Sequence, residues 1–359
     1  MKLARVKAVK MGMAIASAFL LSGSFAKSRA QIPEVSPAEC LIPEAETEVK
    51  AGIFGSQAIL QSCWTEKELR GSPGDKIITR KTAYPGPPAR PYPSNLLPPL
   101  GPALQNSIRD VKPLGGKKVV ALTFDICEQR HEVTGYDADI FNYLRAYHIS
   151  ATFFISGKWM LTHKEKTMQL MADPLFEIGN HAWTHDDLRV EQGIKMDDQI
   201  LWPQAQYELV REELAQRPCA LSQGPEEMEK IPLLPDVFRF PYGACSRQAL
   251  DFLAENGLPA IQWSIVTGDP SKKQTAKGIA AEVMRDIKPG AIIICHANGM
   301  GHGTANSLPL FIPKLKKLGY QFLTVSELLA TGPALAAKQC YELKPGDNYR
   351  YDKLYGSPK

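Results

Sequence analysis

The feature that most constrains this chain is an alternation that starts at Lys117. Apolar runs of strand length recur at Val119–Phe124, Ala151–Ile155, Leu175–Ile178, Val237–Phe240, Ala260–Ile265, Ala291–Cys295 and Tyr320–Val325. Stretches of helical period lie between them: Ile140, Phe141, Leu144 and Tyr147 share one helical face. Gln248–Asn256 and Leu308–Leu318 each end at a glycine suited to a helix C-terminus, Gly257 and Gly319. Lys195–Leu214 is also helical in pattern, with a kink expected at Pro203. Uninterrupted apolar strands alternating with helices require a parallel sheet covered on both faces. Seven such units predict an α/β fold, a distorted or incomplete (β/α)7 barrel, with an open doubly wound sheet as the alternative.

Upstream the pattern is different. Residues 31–116 form an irregular, Pro-rich extension, and Tyr84-Pro-Gly-Pro-Pro and Leu97-Pro-Pro-Leu-Gly-Pro lack too many amide donors for helix or central strand. A strap lying on the main domain is the expectation. Residues 1–30 read as a secretory signal: a basic stretch from Lys2 to Lys10, an apolar run from Met11 to Leu21, then small residues. Residues 117–330 are then the barrel domain and 331–359 a C-terminal tail. The formal charge of +4 rests on that leader, because six basic residues and no acid precede Gln31, leaving 36 basic against 38 acidic residues. The remainder recommends no nucleic-acid partner and no membrane span once the signal is cleaved. Export, to a periplasm or the medium, permits disulfides among the seven cysteines. Cys40 with Cys63 and Cys219 with Cys245 are candidate local pairs. Cys127 and Cys295 read most simply as buried free thiols.

Reactive side chains cluster at strand ends. Asp125 ends the first strand, His181 follows the third, Arg239 ends the fourth, Asp269 follows the fifth and His296 the sixth. Parallel strands bring their C-terminal ends to one rim, where barrel enzymes build their sites. His181 and His185, four apart, present two imidazoles to one point if they lie on a helical turn.

In order, Thr123-Phe124-Asp125, His181/His185, Arg239-Phe240-Pro241-Tyr242 and His296 resemble the motifs of the polysaccharide deacetylases, the family that shares the nodulation-protein and chitooligosaccharide deacetylase homology domain. The resemblance covers roughly Lys117 to Leu329. It implies a divalent metal, zinc-like, on His181 and His185, with Asp125 as general base and Arg239 holding that carboxylate ionised. It implies further that His296 is the general acid for the leaving amine. Because His296 ends a different strand from Asp125, it is expected to stand across the rim from it. The Tyr242 amide would help stabilise the oxyanion. The substrate implied is an N-acetylated glycan such as peptidoglycan, a chitin-like oligomer or an exopolysaccharide. A glycan-binding protein without catalysis, or a hydrolase of another C–N bond, are the alternatives.

Two positions depart from the pattern. The family's second Asp of the first motif, its third metal ligand, is Ile126 here. Glu128 is the expected replacement, with Asp125 itself, Asp186 or Asp187 as alternatives. The fourth motif, Asp-x-x-Asp-Trp in the family, keeps only Asp269, as a partner for His296 or a turn residue, and loses its aromatic wall.

Overall fold

The computed structural model describes residues 54–356. The expected signal segment, the start of the extension and Cys40 lie outside the described residues. Among those described, no helix is long and apolar enough to cross a membrane.

The fold is α/β and built on a parallel sheet. Its principal strands are β1 (Ser107–Val111), β2 (Val119–Ile126), β3 (Ala151–Ile155), β4 (Phe176–Asn180), β5 (Ile265–Val266), β6 (Ile292–His296), β7 (Gln321–Leu323) and β8 (Ala334–Ala337). Central strand β2 pairs in parallel with β6 along one edge. Its other edge is shared, β3 taking the C-terminal half and β7 the N-terminal half. β4 extends the sheet beyond β3, and β5 beyond β6.

Beyond β4 the wall continues only through single bridges: Asn180 to Phe238, Phe238 to Ala260, Ile261 to Ile108 on β1, and Asp110 on β1 to Ala291. The wall is therefore a distorted βα barrel. The run expected as a fourth strand shrinks to a bridge and the fifth to bridges plus the two-residue β5, where Pro241 and Pro259 flank the bridged residues and remove ladder donors. β1 fills part of that gap, so the strand pattern begins at Ser107, ten residues before the alternation becomes visible in sequence. On its far side β1 pairs antiparallel with β8 of the tail.

Side-chain parity on β2 separates two cores. Val120, Leu122, Phe124 and Ile126 pack outward under helices that include α1 (Ala138–Ala146) and α2 (Thr304–Lys317). Val119 and Ala121 face the barrel interior with Ile108, Phe154, Ile261, Ile292 and Ile294. That parity sends Thr123 and Asp125 inward and upward to the rim. The outer layer also holds Ile194–Ala215, which continues through Pro203 as one 22-residue helix.

The Pro-rich extension is tied down as a strap. Glu208 on that long helix accepts hydrogen bonds from the Ser94 amide at 2.7 Å, the Asn95 amide at 2.9 Å and Arg90 at 2.5 Å. Two disulfides, Cys63–Cys219 and Cys245–Cys340, join segments 156 and 95 residues apart. The local pairings Cys40–Cys63 and Cys219–Cys245 are therefore incorrect: the tertiary fold brings remote cysteines together instead. Cys127 and Cys295 are free and buried.

Closing a loop of this length mainly restricts the unfolded chain. Replacing both Cys245 and Cys340 by Ser should cost about 2–5 kcal/mol in urea unfolding. The tail beyond Cys340 should also become sensitive to limited proteolysis. An unchanged urea midpoint would show that the bond contributes nothing to the fold.

Candidate active site

The site is organised by a carboxylate and a guanidinium, both buried. Arg239 donates from Nη1 to Asp125 Oδ1 and Thr123 Oγ1, each at 2.8 Å. Its Nε and Nη2 donate to the Ile261 and Gln262 carbonyls, both at 3.1 Å. The guanidinium also stacks 4.0 Å from the centre of the Phe154 ring. Burial works against charge on Asp125, yet Arg239 outweighs it and holds the carboxyl below its usual range.

His296 is the register neighbour of Asp125 on the adjacent strand rather than a residue across the rim. Its Nδ1 donates to Asp269 Oδ1 at 2.9 Å, and its amide donates to Asp269 Oδ2 at 2.7 Å. The Thr304 hydroxyl donates to the same carboxylate at 2.6 Å. Burial disfavours the imidazolium, but Asp269 more than offsets this and raises His296 well above the usual histidine value. Asp269 is thus a partner of His296 and not merely a turn residue. The two strands set side by side a carboxyl held toward its ionised form and an imidazole held toward its protonated form.

His181 and His185 lie on a loop after β4 and not on a helical turn. Their rings come within 4.8 Å, centre to centre, because Ala182 and His185 both take left-handed backbone, φ 60° and 58°. For residues other than glycine this conformation costs about 1–3 kcal/mol each, which the surrounding packing must hold. His181 Nδ1 donates to the Arg239 carbonyl at 2.8 Å. A carbonyl only accepts, so His181 carries its proton on Nδ1 and leaves the Nε2 lone pair free. His185 Nδ1 is buried with no hydrogen-bond partner among the described residues. Trp183, between the histidines, donates to the Tyr84 hydroxyl of the strap at 2.9 Å.

Glu128 does not join this group. Its carboxylate is fully buried on the other side of the chain, bonded to Lys158 Nζ at 2.6 Å, the Thr134 amide at 2.8 Å and Thr162 Oγ1 at 2.8 Å. The expectation of Glu128 as third ligand is thereby corrected. Parity explains it: Ile126 and Glu128 share the outward side, while Asp125 and Cys127 share the inward one. The residue beside the two imidazoles is Cys127, with Sγ 3.5 Å from His181 Nε2. Ligand atoms of Cys127, His181 and His185 all lie within 4.8 Å of one another. Two imidazoles with free lone pairs and a sulfur are a donor set that fits a divalent ion.

Asp125, Cys127, His185, Tyr242, Asp269 and His296 line one cavity of about 260 Å³. Trp263 and Tyr351 supply the aromatic surface that the fourth motif lacks. Sequence reasoning missed both, since Tyr351 arrives from the tail, held near the site by the Cys245–Cys340 bond. Tyr242 has φ 58° and packs edge-on against His185 and at a tilt against Tyr351 and Tyr355. A second cleft shares Arg80, Gln129, Glu132, His185 and Tyr242 with the cavity, so the depression continues along the surface.

Residues 112–261 match the polysaccharide deacetylase family profile. A peptidoglycan-N-acetylglucosamine deacetylase of Listeria monocytogenes is 28% identical over 211 residues, covering 59% of this chain and 39% of that one. The chain thus spans about two fifths of that relative's length. A chitooligosaccharide deacetylase of Bradyrhizobium is 26% identical over 238 residues, covering 61% of this chain and 94% of its own. A crystal structure of a peptidoglycan N-acetylglucosamine deacetylase superposes with a TM-score of 0.50 at 24% identity, over 63% of this chain and 93% of that one. That last likeness is one of fold.

Because Glu128 neutralises a fully buried Lys158, Glu128→Gln should destabilise the protein by about 3–5 kcal/mol in urea unfolding. Bound metal per folded protein should be unchanged. The double variant Glu128→Gln/Lys158→Met should recover much of the loss. Normal stability with lost metal in the single variant would return Glu128 to the ligand set.

Proposed function

We propose, on the match of residues 112–261 to the polysaccharide deacetylase family model, that the protein is an exported, metal-dependent deacetylase that hydrolyses the acetamide of an N-acetylated glycan. The observation that carries this reading is the pairing of Asp125 with His296. They are register partners on adjacent strands, each held in the protonation state the reaction needs by its own buried partner.

An amide is a poor electrophile with a poor leaving group. Its hydrolysis needs a base for the attacking water, charge stabilisation at the oxygen and a proton for the amine. Asp125, kept ionised by Arg239, takes the proton from water. His296, kept protonated by Asp269, delivers a proton to the departing nitrogen. His181 and His185 hold the divalent ion, zinc in this proposal, which when bound supplies a Lewis acid for the carbonyl oxygen. The Tyr242 amide lies at the same mouth and is the proposed second oxyanion donor. Trp263 and Tyr351 give flat apolar faces against which a sugar ring can lie.

The connected cavity and cleft suit a chain of sugars better than a small cyclic amide. Two relatives are named for peptidoglycan N-acetylglucosamine and chitooligosaccharide, which supports an N-acetylglucosamine unit as the reacting sugar. Export is supported by the two disulfides, which persist in oxidising compartments.

The zinc-loaded protein should release acetate from N-acetylglucosamine oligomers, and chelation should abolish the release. His296→Ala should lower kcat by roughly 10²–10⁴-fold with metal content intact, as expected for loss of a general acid. Asp269→Asn should lower kcat in the same direction, since it removes the charge that keeps His296 protonated. A fully loaded wild-type protein that frees no acetate from any N- or O-acetylated glycan would point instead to a binding protein. Loss of metal in His296→Ala would make His296 a ligand.

A further inference from the structure

We propose that the third protein ligand at this site is the Cys127 thiolate, giving a two-histidine, one-cysteine centre that selects zinc or another thiophilic ion. The inference rests on the metal-dependent reading above and deepens it by naming the ligand set and the class of ion.

Three observations converge on Cys127. First, strand parity carries the chain from Asp125 to Cys127 on the inward side, while Ile126 is packed in the outer core. Second, Sγ sits 3.5 Å from His181 Nε2, the nitrogen left unprotonated by the Nδ1 bond to the Arg239 carbonyl. In a tetrahedral zinc site, with Zn–S near 2.3 Å and Zn–N near 2.05 Å, the sulfur-to-nitrogen edge is about 3.6 Å. The observed spacing, which a thiol-to-imidazole hydrogen bond also spans, is compatible with two ligands on one ion. Third, His185 completes a triangle whose corners lie within 4.8 Å of one another. Cys127 and His185 both line the cavity, which leaves a fourth position open toward substrate, as catalytic zinc sites require.

Glu128 is tied to Lys158, and Arg239 holds one oxygen of Asp125. The other Asp125 oxygen stands 3.6 Å from His181 Nε2, beside the ion position, where the proposed base must meet water. On binding, the thiol gives up its proton to solvent and the sulfur lone pair goes to the ion. A thiolate is a soft donor, so this set favours zinc or cobalt over magnesium, calcium or manganese, which suit oxygen ligands.

The test is Co²⁺ titration of the full chain with its disulfides formed, read by absorption spectroscopy. Thiolate ligation gives an intense sulfur-to-cobalt charge-transfer band in the near ultraviolet, separate from the weaker ligand-field bands in the visible. Wild type should show both. Cys295→Ala, which removes the other free thiol among the described residues, should also show both. Cys127→Asp should bind cobalt with ligand-field bands alone. Cys127→Ser should lose more than ~100-fold in zinc affinity, because disturbing an outer-shell partner already costs 10–100-fold. Excess Mg²⁺ should not displace zinc from wild type.

Cobalt bound by wild type without the charge-transfer band, or a band that survives in Cys127→Asp, would overturn the thiolate assignment and leave the metal reading standing. A wild-type protein that takes up neither cobalt nor zinc would overturn the metal reading itself.

Discussion

The structure depends on one buried guanidinium. Arg239 bonds to β2 through Thr123 and Asp125, and to the irregular wall through the carbonyls of Ile261 and Gln262. Its own carbonyl fixes the tautomer of His181. A single residue thus joins the regular half of the barrel to the half held only by bridges. It also neutralises Asp125, the proposed base, and orients His181, a proposed metal ligand. A buried charge of this kind is costly unless its donors are satisfied, and four protein oxygens surround it here. A lysine could not replace it, since one ammonium cannot present the planar fork that reaches all four.

Around that centre the reactive groups come in pairs, each with a partner that sets its state. Asp125 has Arg239, and His296 has Asp269. The two pairs stand next to one another because β2 and β6 are adjacent and in register. The proposed acid and base are therefore positioned by the backbone ladder rather than by loops. The histidine pair, in contrast, sits on a loop with two left-handed residues, so its geometry depends on packing from the strap and the long helix.

The segments outside the sequence-evident barrel also build the site. β1 occupies the stretch of wall where prolines prevent regular pairing. The tail returns through β8 and the Cys245–Cys340 bond to place Tyr351 and Tyr355 against Tyr242. The aromatic face absent from the fourth motif is rebuilt from Trp263 and the tail.

The sequence by itself determined the local features: apolar runs of strand length, helical periodicity, glycine stops, and the positions of Asp125, His181, His185, Arg239, Asp269 and His296 after strands. Each follows from spacing within a few residues, and parallel strands then oblige their C-terminal ends to share a rim. Parity along β2 was also in the sequence, and it points to Cys127 over Glu128 once the inward face of Asp125 is known. Only the tertiary structure decided which face was inward, because that depends on what packs against each side. It alone decided that His296 neighbours Asp125, that Cys245 meets Cys340, and that Trp263 and Tyr351 share one cavity. Those contacts join residues tens to hundreds of positions apart, and their geometry is set by strand order and barrel closure, which no local pattern encodes.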